Sequence, residues 1–332
     1  MLIISRTPVR VSFFGGGTDY LAYYKRKKGA VLGITIDKYT YITLKKGCQF
    51  FPHAIRIAYS RTELINHLEE ITHPSIRESL RFTGYFFPLD IHIFSDLPAR
   101  TGLGSSSSFT VGFLNALYAL QGKKIPKEKL AKEACYIEQE LIKENVGSQD
   151  QYHAAYGGFN IIEFSEHHNS LRPVIISNEK KKLLEKHFML FYTGLTRHAS
   201  EILQTQVQKT CEKKNDSFLE RMYEMVFEAE ALLQKEEGET LVKKFAELLD
   251  QSWELKKKLS SNISTEKIDS YYQKAKEAGA LGGKLCGAGQ GGFLALFVPV
   301  KKQEDVKKAL QPLFPVSVGF EEQGSSIIYM KD

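Results

Sequence analysis

The sequence is poor in cysteine, and its four cysteines are not placed to bond with one another or to bind zinc. Cys48, Cys135, Cys211 and Cys286 lie far apart, with no CxxC pair and no cysteine–histidine spacing suited to a metal. These absences predict a reduced, cytoplasmic chain without disulfide bonds. Cys286 stands beside a glycine-rich loop and is expected to line a pocket, whereas no histidine motif supports a catalytic thiol.

Long apolar runs and a large excess of one charge are also missing. No apolar run reaches the roughly 18 residues of a membrane-spanning helix, and the short apolar run after Met1 is unlike a signal peptide. We therefore expect no membrane partner. The net charge of +6 is spread over mixed-sign segments such as Lys180–Lys182 and Lys256–Lys258. These segments predict solvated helix surfaces rather than a nucleic-acid groove, while a mildly positive protein suits an anionic substrate.

The 332 residues are too many for one ordinary hydrophobic core, so two domains are expected. Hydrophobic periodicity predicts strands and helices that interleave along the chain, which is typical of an α+β fold. The predicted strands are Leu2–Phe14, Val31–Leu44, Leu89–Phe94, Phe159–Phe164, Phe188–Tyr192, Phe293–Val298 and Ser326–Met330. The main predicted helices are Phe109–Leu120, Pro126–Asn145 and residues 199–260 and 266–278. Residues 177–187 are interpreted as the connection between domains of residues 1–180 and 186–332.

Three glycine-rich loops stand out: a first loop at residues 15–19, a second at 102–108 and a third at 287–292. The second loop is either a flexible linker or an anion site. Its place between a strand and a buried helix favours the anion site, because backbone N–H groups and the positive end of a helix dipole meet there. It is not a Walker A loop. The third loop matches GxGxxG, but a strand-like segment follows it, which argues against a dinucleotide-binding Rossmann motif.

A carboxylate interrupts the apolar face of the predicted helix Pro126–Asn145. Glu138 shares that face with Ala131 and Ala134 at three- and four-residue spacing. A carboxylate turned toward a core is costly unless a cation or a donor pairs with it. Metal ligation is the preferred interpretation, over a structural salt bridge or a side chain that snorkels from the edge of the helix. Asp150 follows this helix, and by itself it reads more simply as a turn aspartate.

Together these segments resemble the GHMP kinase family, which includes galactokinase, homoserine kinase, mevalonate kinase and phosphomevalonate kinase. Pro8–Tyr20 (PVRVSFFGGGTDY) resembles the first family motif, Pro98–Ser107 (PARTGLGSSS) the second, phosphate-binding motif, and the third loop the third. Their order and spacing fit over essentially the whole length. The resemblance implies an N-terminal domain like ribosomal protein S5 domain 2, a ferredoxin-like C-terminal domain, and an active site between them.

The resemblance also implies roles for single residues and the cofactors ATP and Mg²⁺. Ser106 and Glu138 match the family's Mg²⁺ ligands, and Asp150 matches the proposed catalytic base. Arg10 lies where galactokinases have a catalytic arginine. Contacts with ATP are implied at Pro98, Thr101, Gly102, Leu103, Gly104, Ser105, Ser106 and Ser107. Contacts with the substrate are implied at Gly16, Gly17, Thr18, Asp19, Gly287, Ala288 and Gly289. Four consecutive serines leave open which hydroxyl meets the metal.

Within the family, the resemblance is strongest to kinases of D-glycero-D-manno-heptose 7-phosphate. It rests on the segments FFGGGTDY, IEQELIKENVGSQDQYHAAYGGFNIIEF, YTGLTRHASEIL and GALGGKLCGAGQGGF. It implies transfer of the γ-phosphoryl group of ATP to the C1 hydroxyl, with Arg6, Arg197 and Lys284 as candidate cations for the substrate's own phosphate. The implied partners are a sugar phosphate and ATP, and a homo-oligomer is left open.

The resemblance leaves alternatives. Related fucokinases share similar segments, so another sugar 1-kinase or a phosphomevalonate kinase stays open, as does the decarboxylase that the same fold hosts. The intact set of Ser106, Glu138 and Asp150 argues against a protein that only binds its ligand.

Overall fold

The structure, a computed structural model, describes residues 1–47, 50–85, 88–99, 101–195 and 199–332. Two sheets and the helices packed on them account for most of this part of the chain. No described helix is both long and apolar enough to cross a membrane.

The strands form a nine-stranded and a four-stranded sheet. They are β1 (Leu2–Phe14), β2 (Gly29–Lys46), β3 (Ile55–Ala58), β4 (Thr62–Ile65), β5 (Leu89–Ser95), β6 (Phe159–Phe164), β7 (Asn169–Pro173), β8 (Phe188–Tyr192), β9 (Gly282–Leu285), β10 (Phe293–Phe297), β11 (Phe314–Val316), β12 (Phe320–Glu321) and β13 (Ser326–Lys331). The large sheet runs β13-β1-β2-β5-β3-β4, with β12 and β6 also paired to β2 and β7 to β6. The small sheet runs β11-β8-β10-β9. The last two strands, β12 and β13, therefore belong to the same large sheet as β1.

Helices cover both sheets. They are α1 (Leu21–Tyr24), α2 (Pro74–Thr83), α3 (Ser105–Leu120), α4 (Lys127–Tyr136), α5 (Gln149–Tyr156), α6 (Asn178–His187), α7 (Ala199–Cys211), α8 (Asp216–Lys235), α9 (Gly238–Leu259), α10 (Glu266–Glu277) and α11 (Gln303–Ala309). The predicted strands Leu2–Phe14, Phe159–Phe164 and Phe188–Tyr192 are confirmed to the residue. The interleaved α+β architecture is confirmed with them.

The stretch 177–187, predicted to connect the two domains, forms helix α6, and the hydroxyl of Ser177 caps it by accepting the N–H of Lys180 at 3.2 Å. Its role as the connection stays a prediction. The predicted helix Pro126–Asn145 is shorter, because α4 passes into a π-helical turn at Ile137–Leu141. The helix does not continue past this turn, and Lys143 has a φ of 61°.

Helix α3 lies directly on β1 because glycine replaces a side chain at their contact. A Cβ on Gly112 would lie 2.5 Å from the Thr7 hydroxyl oxygen, and the Ser5 hydroxyl donates to the Gly112 carbonyl at 2.9 Å. Glycine at position 112 therefore permits the close packing of α3 on β1. The N-terminus of α3 is thereby held against the strand that carries Arg10.

A group of aromatic rings joins the two sheets. The Phe13 ring at the end of β1 lies 5.5–6.1 Å, between centroids, from the rings of Phe159, Phe188, Phe245 and Phe297. These partners come from β6, β8, α9 and β10, so one side chain contacts both sheets and the long helix. Phe13 is 1% exposed.

We predict that Phe13→Ala lowers the free energy of unfolding by about 3–5 kcal/mol, since it removes a large buried ring and leaves a cavity. Urea denaturation followed by circular dichroism measures this loss. Phe94→Ala is the control, because Phe94 on β5 is 60% exposed and its loss should cost about 0.5 kcal/mol or less. Equal effects of the two substitutions would contradict the joining role of Phe13.

Candidate active site

A cavity of about 460 Å³ receives residues from all three glycine-rich loops. The first loop contributes Gly16, Gly17 and Asp19, the second Gly102, Gly104, Ser105 and Ser106, and the third Gly287, Ala288 and Gly289. Cys286 also lines the cavity, as expected. The structure thus brings together residues as far apart in sequence as Gly16 and Gly289.

The second and third loops meet at a distance that only glycine allows. A Cβ on Gly287 would lie 2.3 Å from the Cα of Gly102, and a Cβ on Gly102 would lie 2.4 Å from the Cys286 carbonyl oxygen. Both residues have positive φ, 84° at Gly102 and 79° at Gly287. Any side chain at either position would push the two loops apart.

The second loop opens helix α3 as an anion site. Gly104 precedes the helix with a φ of 75°, and Ser105 and Ser106 form its first turn. The N–H groups of a first helical turn have no acceptor within the helix, and the dipole places positive charge there. Because Gly104, Ser105 and Ser106 line the cavity, these groups are available to phosphate oxygens.

An ion pair lies next to this helix N-terminus. Arg10 donates from Nε and Nη2 to Asp150 Oδ1, at 2.8 and 2.6 Å, and from Nη1 to the Gly102 carbonyl at 2.7 Å. A Cβ on Gly104 would lie 3.1 Å from Asp150 Oδ2. No hydrogen bond to Oδ2 occurs within the described part of the chain, so this oxygen faces the anion site without a protein donor. Asp150 stands in the first turn of α5.

Asp19 is a second buried carboxylate of the cavity. Its Oδ1 accepts the Gly17 N–H at 2.9 Å, and its Oδ2 accepts the Gln149 amide at 2.8 Å. Burial raises the pKa of Asp19, while these hydrogen bonds oppose the shift. Gln149 and Gly147 hold Asp19 in place, since a Cβ on Gly147 would lie 1.9 Å from Asp19 Oδ2.

Glu138 is buried behind the serines of the second loop. It is 1% exposed, and its Oε2 accepts hydrogen bonds from Ser107, at 2.8 Å, and from Gln151. Burial raises the pKa of Glu138 to about 7, and hydrogen bonds offset this only in part. Its Oε1 is buried without a hydrogen-bond partner among the described residues.

The surroundings of Glu138 fit a magnesium ion whose remaining ligands come from phosphate and water. The salt bridge considered as the alternative is absent from the described residues, which pair no cation with Glu138. No described group of three or more acidic, histidine or cysteine side chains would hold a metal alone. Mg²⁺ commonly takes one or two carboxylates together with substrate phosphates and water. Ser107 contacts Glu138, whereas Ser106 is exposed and lines the cavity.

Two buried lysines complete the cavity, and only one of them was predicted from the sequence. Lys284 on β9 was a predicted substrate contact, and its ammonium donates to the Phe13 carbonyl at 3.0 Å. Lys256 on α9 was interpreted as solvated surface, but it is 8% exposed and donates to the Gly287 carbonyl at 2.6 Å. Lys256 follows Leu249 and Ser252 at helical spacing, and these are buried too. The periodicity that selected Glu138 would have selected Lys256.

Other predicted contacts take different positions. Arg6 does not line the cavity, and its guanidinium lies 4.6 Å from the centroid of the Tyr39 ring, so its position does not support a substrate contact. The Thr18 hydroxyl donates to the Gly15 and Ala30 carbonyls. Leu103 is in the core, and the Thr101 hydroxyl donates to the Pro98 carbonyl at 2.8 Å. The Thr18 side chain therefore stabilises the first loop, and those of Thr101 and Leu103 the second, without lining the cavity. Arg197 lies outside the described residues.

Comparison with known families decides the assignment. Residues 66–158 match the family described as GHMP kinases N terminal domain, and residues 229–315 match GHMP kinases C terminal. The chain belongs to the GHMP kinases. It is therefore an ATP-dependent phosphotransferase, and the predicted two-domain fold is confirmed. The division at residues 180–186 stays a prediction.

Relatives of this GHMP kinase include sugar kinases. The chain is 33% identical to D-glycero-alpha-D-manno-heptose 7-phosphate kinase of Campylobacter jejuni over 93% of each chain. It is 26% identical to galactokinase of Pyrococcus furiosus over 93% of this chain and 92% of the relative. The crystal structure of a D-glycero-D-manno-heptose 1-phosphate kinase from Bacteroides thetaiotaomicron shares the fold, with a TM-score of 0.81, 23% identity and full coverage of both chains.

We predict that Glu138 makes the metal-free kinase less stable as the pH rises. The pKa of Glu138 is about 7 in the folded protein, against an ordinary value of 4.5. The folded state therefore holds the proton more tightly, and the resulting stability is present below pH 4.5 and lost as the pH rises to about 7. The full difference is about 3 kcal/mol. Glu138→Gln should remove it.

Urea denaturation of wild type and Glu138→Gln in EDTA, at pH 4.5 and pH 8, measures this difference. The variant should gain stability relative to wild type at the higher pH. Glu140→Gln, an exposed position in the same π-helical turn, is the control and should follow wild type. A constant difference between wild type and Glu138→Gln at both pH values would show that Glu138 is not held protonated by burial.

Proposed function

We propose that this kinase transfers the γ-phosphoryl group of ATP to the C1 hydroxyl of D-glycero-D-manno-heptose 7-phosphate and forms the 1,7-bisphosphate. The observation that carries the proposal is the contact between Gly104 and Asp150, which places a carboxylate oxygen beside the N-terminus of α3. A phosphoryl group bound to the first turn of α3 would lie next to Asp150, whose carboxylate would accept the proton of the acceptor hydroxyl. The resemblance to the heptose 7-phosphate kinase of Campylobacter jejuni supports this acceptor.

The transfer needs positioning and neutralisation of charge more than covalent help from the protein. The C1 oxygen bonds to the γ-phosphorus while the bond from that phosphorus to the β,γ-bridging oxygen of ATP breaks, and ADP leaves. Asp150 Oδ2 orients the C1 hydroxyl and accepts its proton. Arg10 fixes Asp150 through Oδ1 and brings positive charge beside the transferred group.

The second loop and Glu138 would hold the nucleotide and its metal. The N–H groups of Ser105 and Ser106 would bind phosphate oxygens, as would the backbone at Gly102 and Gly104. Glu138 would hold Mg²⁺ through its unpartnered Oε1, together with a hydroxyl of the second loop, and the bound ion supplies neutralisation of phosphate charge. Ser106 matches the family position for this hydroxyl, whereas Ser107 already contacts Glu138.

Asp19 would select the sugar. It lies on the first loop with its carboxylate fixed by Gly17 and Gln149. A buried carboxylate that is already held in place is a strong acceptor for sugar hydroxyls. Backbone groups at Gly16 and Ala288 line the same cavity and would complete the sugar contacts.

We predict that Asp150→Asn lowers turnover by roughly two or more orders of magnitude while ATP binding stays nearly intact. The amide cannot accept the proton, but the second loop keeps its shape. Coupled ADP release gives turnover, and fluorescence titration with a nucleotide analogue gives binding. Asp269→Asn, on the surface of α10, is the control with the same chemical change. Retained turnover in Asp150→Asn would refute the role of Asp150 as base.

An acceptor panel tests the proposed substrate. We expect heptose 7-phosphate to give the highest kcat/KM for ADP release, above heptose 1-phosphate, fucose, galactose and phosphomevalonate. Phosphorus NMR of the product should show a new anomeric phosphate. Preference for fucose or galactose would indicate another sugar 1-kinase, preference for heptose 1-phosphate would place the new phosphate at another hydroxyl, and release of carbon dioxide would indicate a decarboxylase.

A further inference from the structure

Two buried ammonium groups face the cavity without an acidic partner. Lys256 and Lys284 are 8% and 2% exposed, and their ammonium groups donate to the backbone carbonyls of Gly287 and Phe13. Within the described part of the chain, neither ammonium forms an ion pair with a carboxylate. Burial of unpaired charge is costly, so a positive pair kept at this place indicates that an anion offsets the charge when the site is filled.

Among the described residues, no nearby carboxylate is free to pair with these two lysines. The carboxylates that act on them are Asp19 and Asp150, and both are engaged, Asp19 with Gly17 and Gln149 and Asp150 with Arg10. Arg10 and the Cys286 thiol are the remaining titratable groups that act on both lysines. Burial lowers the pKa of Lys256 and lowers that of Lys284 to about 7, with Lys256 adding to the shift at Lys284. A bound anion would reverse both shifts.

The cavity has room for a ligand atom beside Lys256. A Cβ on Gly16 would lie 4.0 Å from Lys256 Nζ, 3.9 Å from Gln149 Nε2 and 3.6 Å from Ser12 Oγ. The Ser12 hydroxyl is 9% exposed and has no hydrogen-bond partner among the described residues. The Lys256 ammonium, the Gln149 amide and the Ser12 hydroxyl therefore surround the space beside the Gly16 backbone. These three groups are hydrogen-bond donors of the kinds that bind a phosphate.

We propose that Lys256, Lys284 and Ser12 form a subsite for the phosphate group that the acceptor already carries, and that this subsite makes the kinase select phosphorylated acceptors over neutral sugars. The inference rests on the proposed function for the identity of the acceptor. The terminal phosphate of ATP is the other phosphate group that would suit this subsite. The acceptor is favoured, because the N-terminus of α3 serves the nucleotide while Lys256 and Ser12 adjoin Gly16 of the first loop, which also carries Asp19.

Lys256→Gln tests the subsite through selectivity. We expect kcat/KM for heptose 7-phosphate to fall roughly 30-fold or more, because a buried charged hydrogen bond to phosphate is lost. The kcat/KM for the same heptose without phosphate should change about threefold or less, as should the KM for ATP. Lys258→Gln, an exposed lysine on the same helix, is the matched control and should behave as wild type.

The other outcomes overturn the inference. An equal loss with both acceptors would make Lys256 a structural or hydroxyl-binding residue, and a raised KM for ATP with an unchanged KM for the acceptor would assign the pair to the nucleotide. Calorimetry with inorganic phosphate, with a nonhydrolysable ATP analogue already bound, separates the subsite from the proposed function. Binding to wild type that Lys256→Gln lacks would support the subsite even if heptose 7-phosphate were not the acceptor. Equal binding to both would refute it.

Gly16→Ala tests the same space in a variant that should fold. Its methyl group would make ordinary contacts of 3.6–4.0 Å, so the melting temperature should match wild type. The methyl group would occupy the space beside Lys256, so kcat/KM should fall more for heptose 7-phosphate, by roughly tenfold or more, than for the unphosphorylated heptose. The same loss with both acceptors would contradict a phosphate subsite at this position.

Discussion

The site depends on the backbone contact between Gly102 and Gly287. The second loop belongs to the first half of the chain and the third loop to the small sheet, so this contact sets the distance between the two halves. Arg10 also contacts this pair of glycines, because its guanidinium donates a hydrogen bond to the Gly102 carbonyl. Because Arg10 in turn holds Asp150, the position of the reactive carboxylate follows from two glycines that admit no side chain.

Acidic and basic side chains are both buried in this kinase before any ligand binds. Glu138 lies at the nucleotide end with an unpartnered oxygen, and Lys256 and Lys284 lie toward the first and third loops without an acidic partner. Each is costly in the free protein. No ion pair joins them within the described residues, so the neutralising groups have to come from the ligands. Part of the free energy of binding metal, nucleotide and acceptor then comes from pairing these buried groups, which have no partner of opposite charge in the described part of the free protein.

Much of this was predictable where one periodicity governs a segment. The ends of β1, β6 and β8 follow from apolar runs, and Glu138 follows from helical spacing. Lys256 was missed because a run of three lysines suggested a solvated surface, although its helical position places it with buried residues. Arg6 lies on the same strand as Arg10, four residues earlier, but only Arg10 lines the cavity. Between them the pairing of β1 with β2 shifts register at Pro8 and Val9, an irregularity that strand periodicity does not predict.

Hydrophobic periodicity does not predict where α4 ends, and the end of this helix matters for the geometry of the site. A π-helical turn inserts an extra residue into a helix, and here it contains Glu138. The Glu144 N–H donates to the Glu138 carbonyl at 2.9 Å, and the Ser148 N–H donates to the Asp19 carbonyl at 2.9 Å. One short segment, with Gly147 against Asp19, therefore connects the carboxylate beside the phosphate loop to the carboxylate of the first loop. A regular helix through Asn145 would carry this segment away from the cavity, so the irregularity is what allows both carboxylates to serve one site.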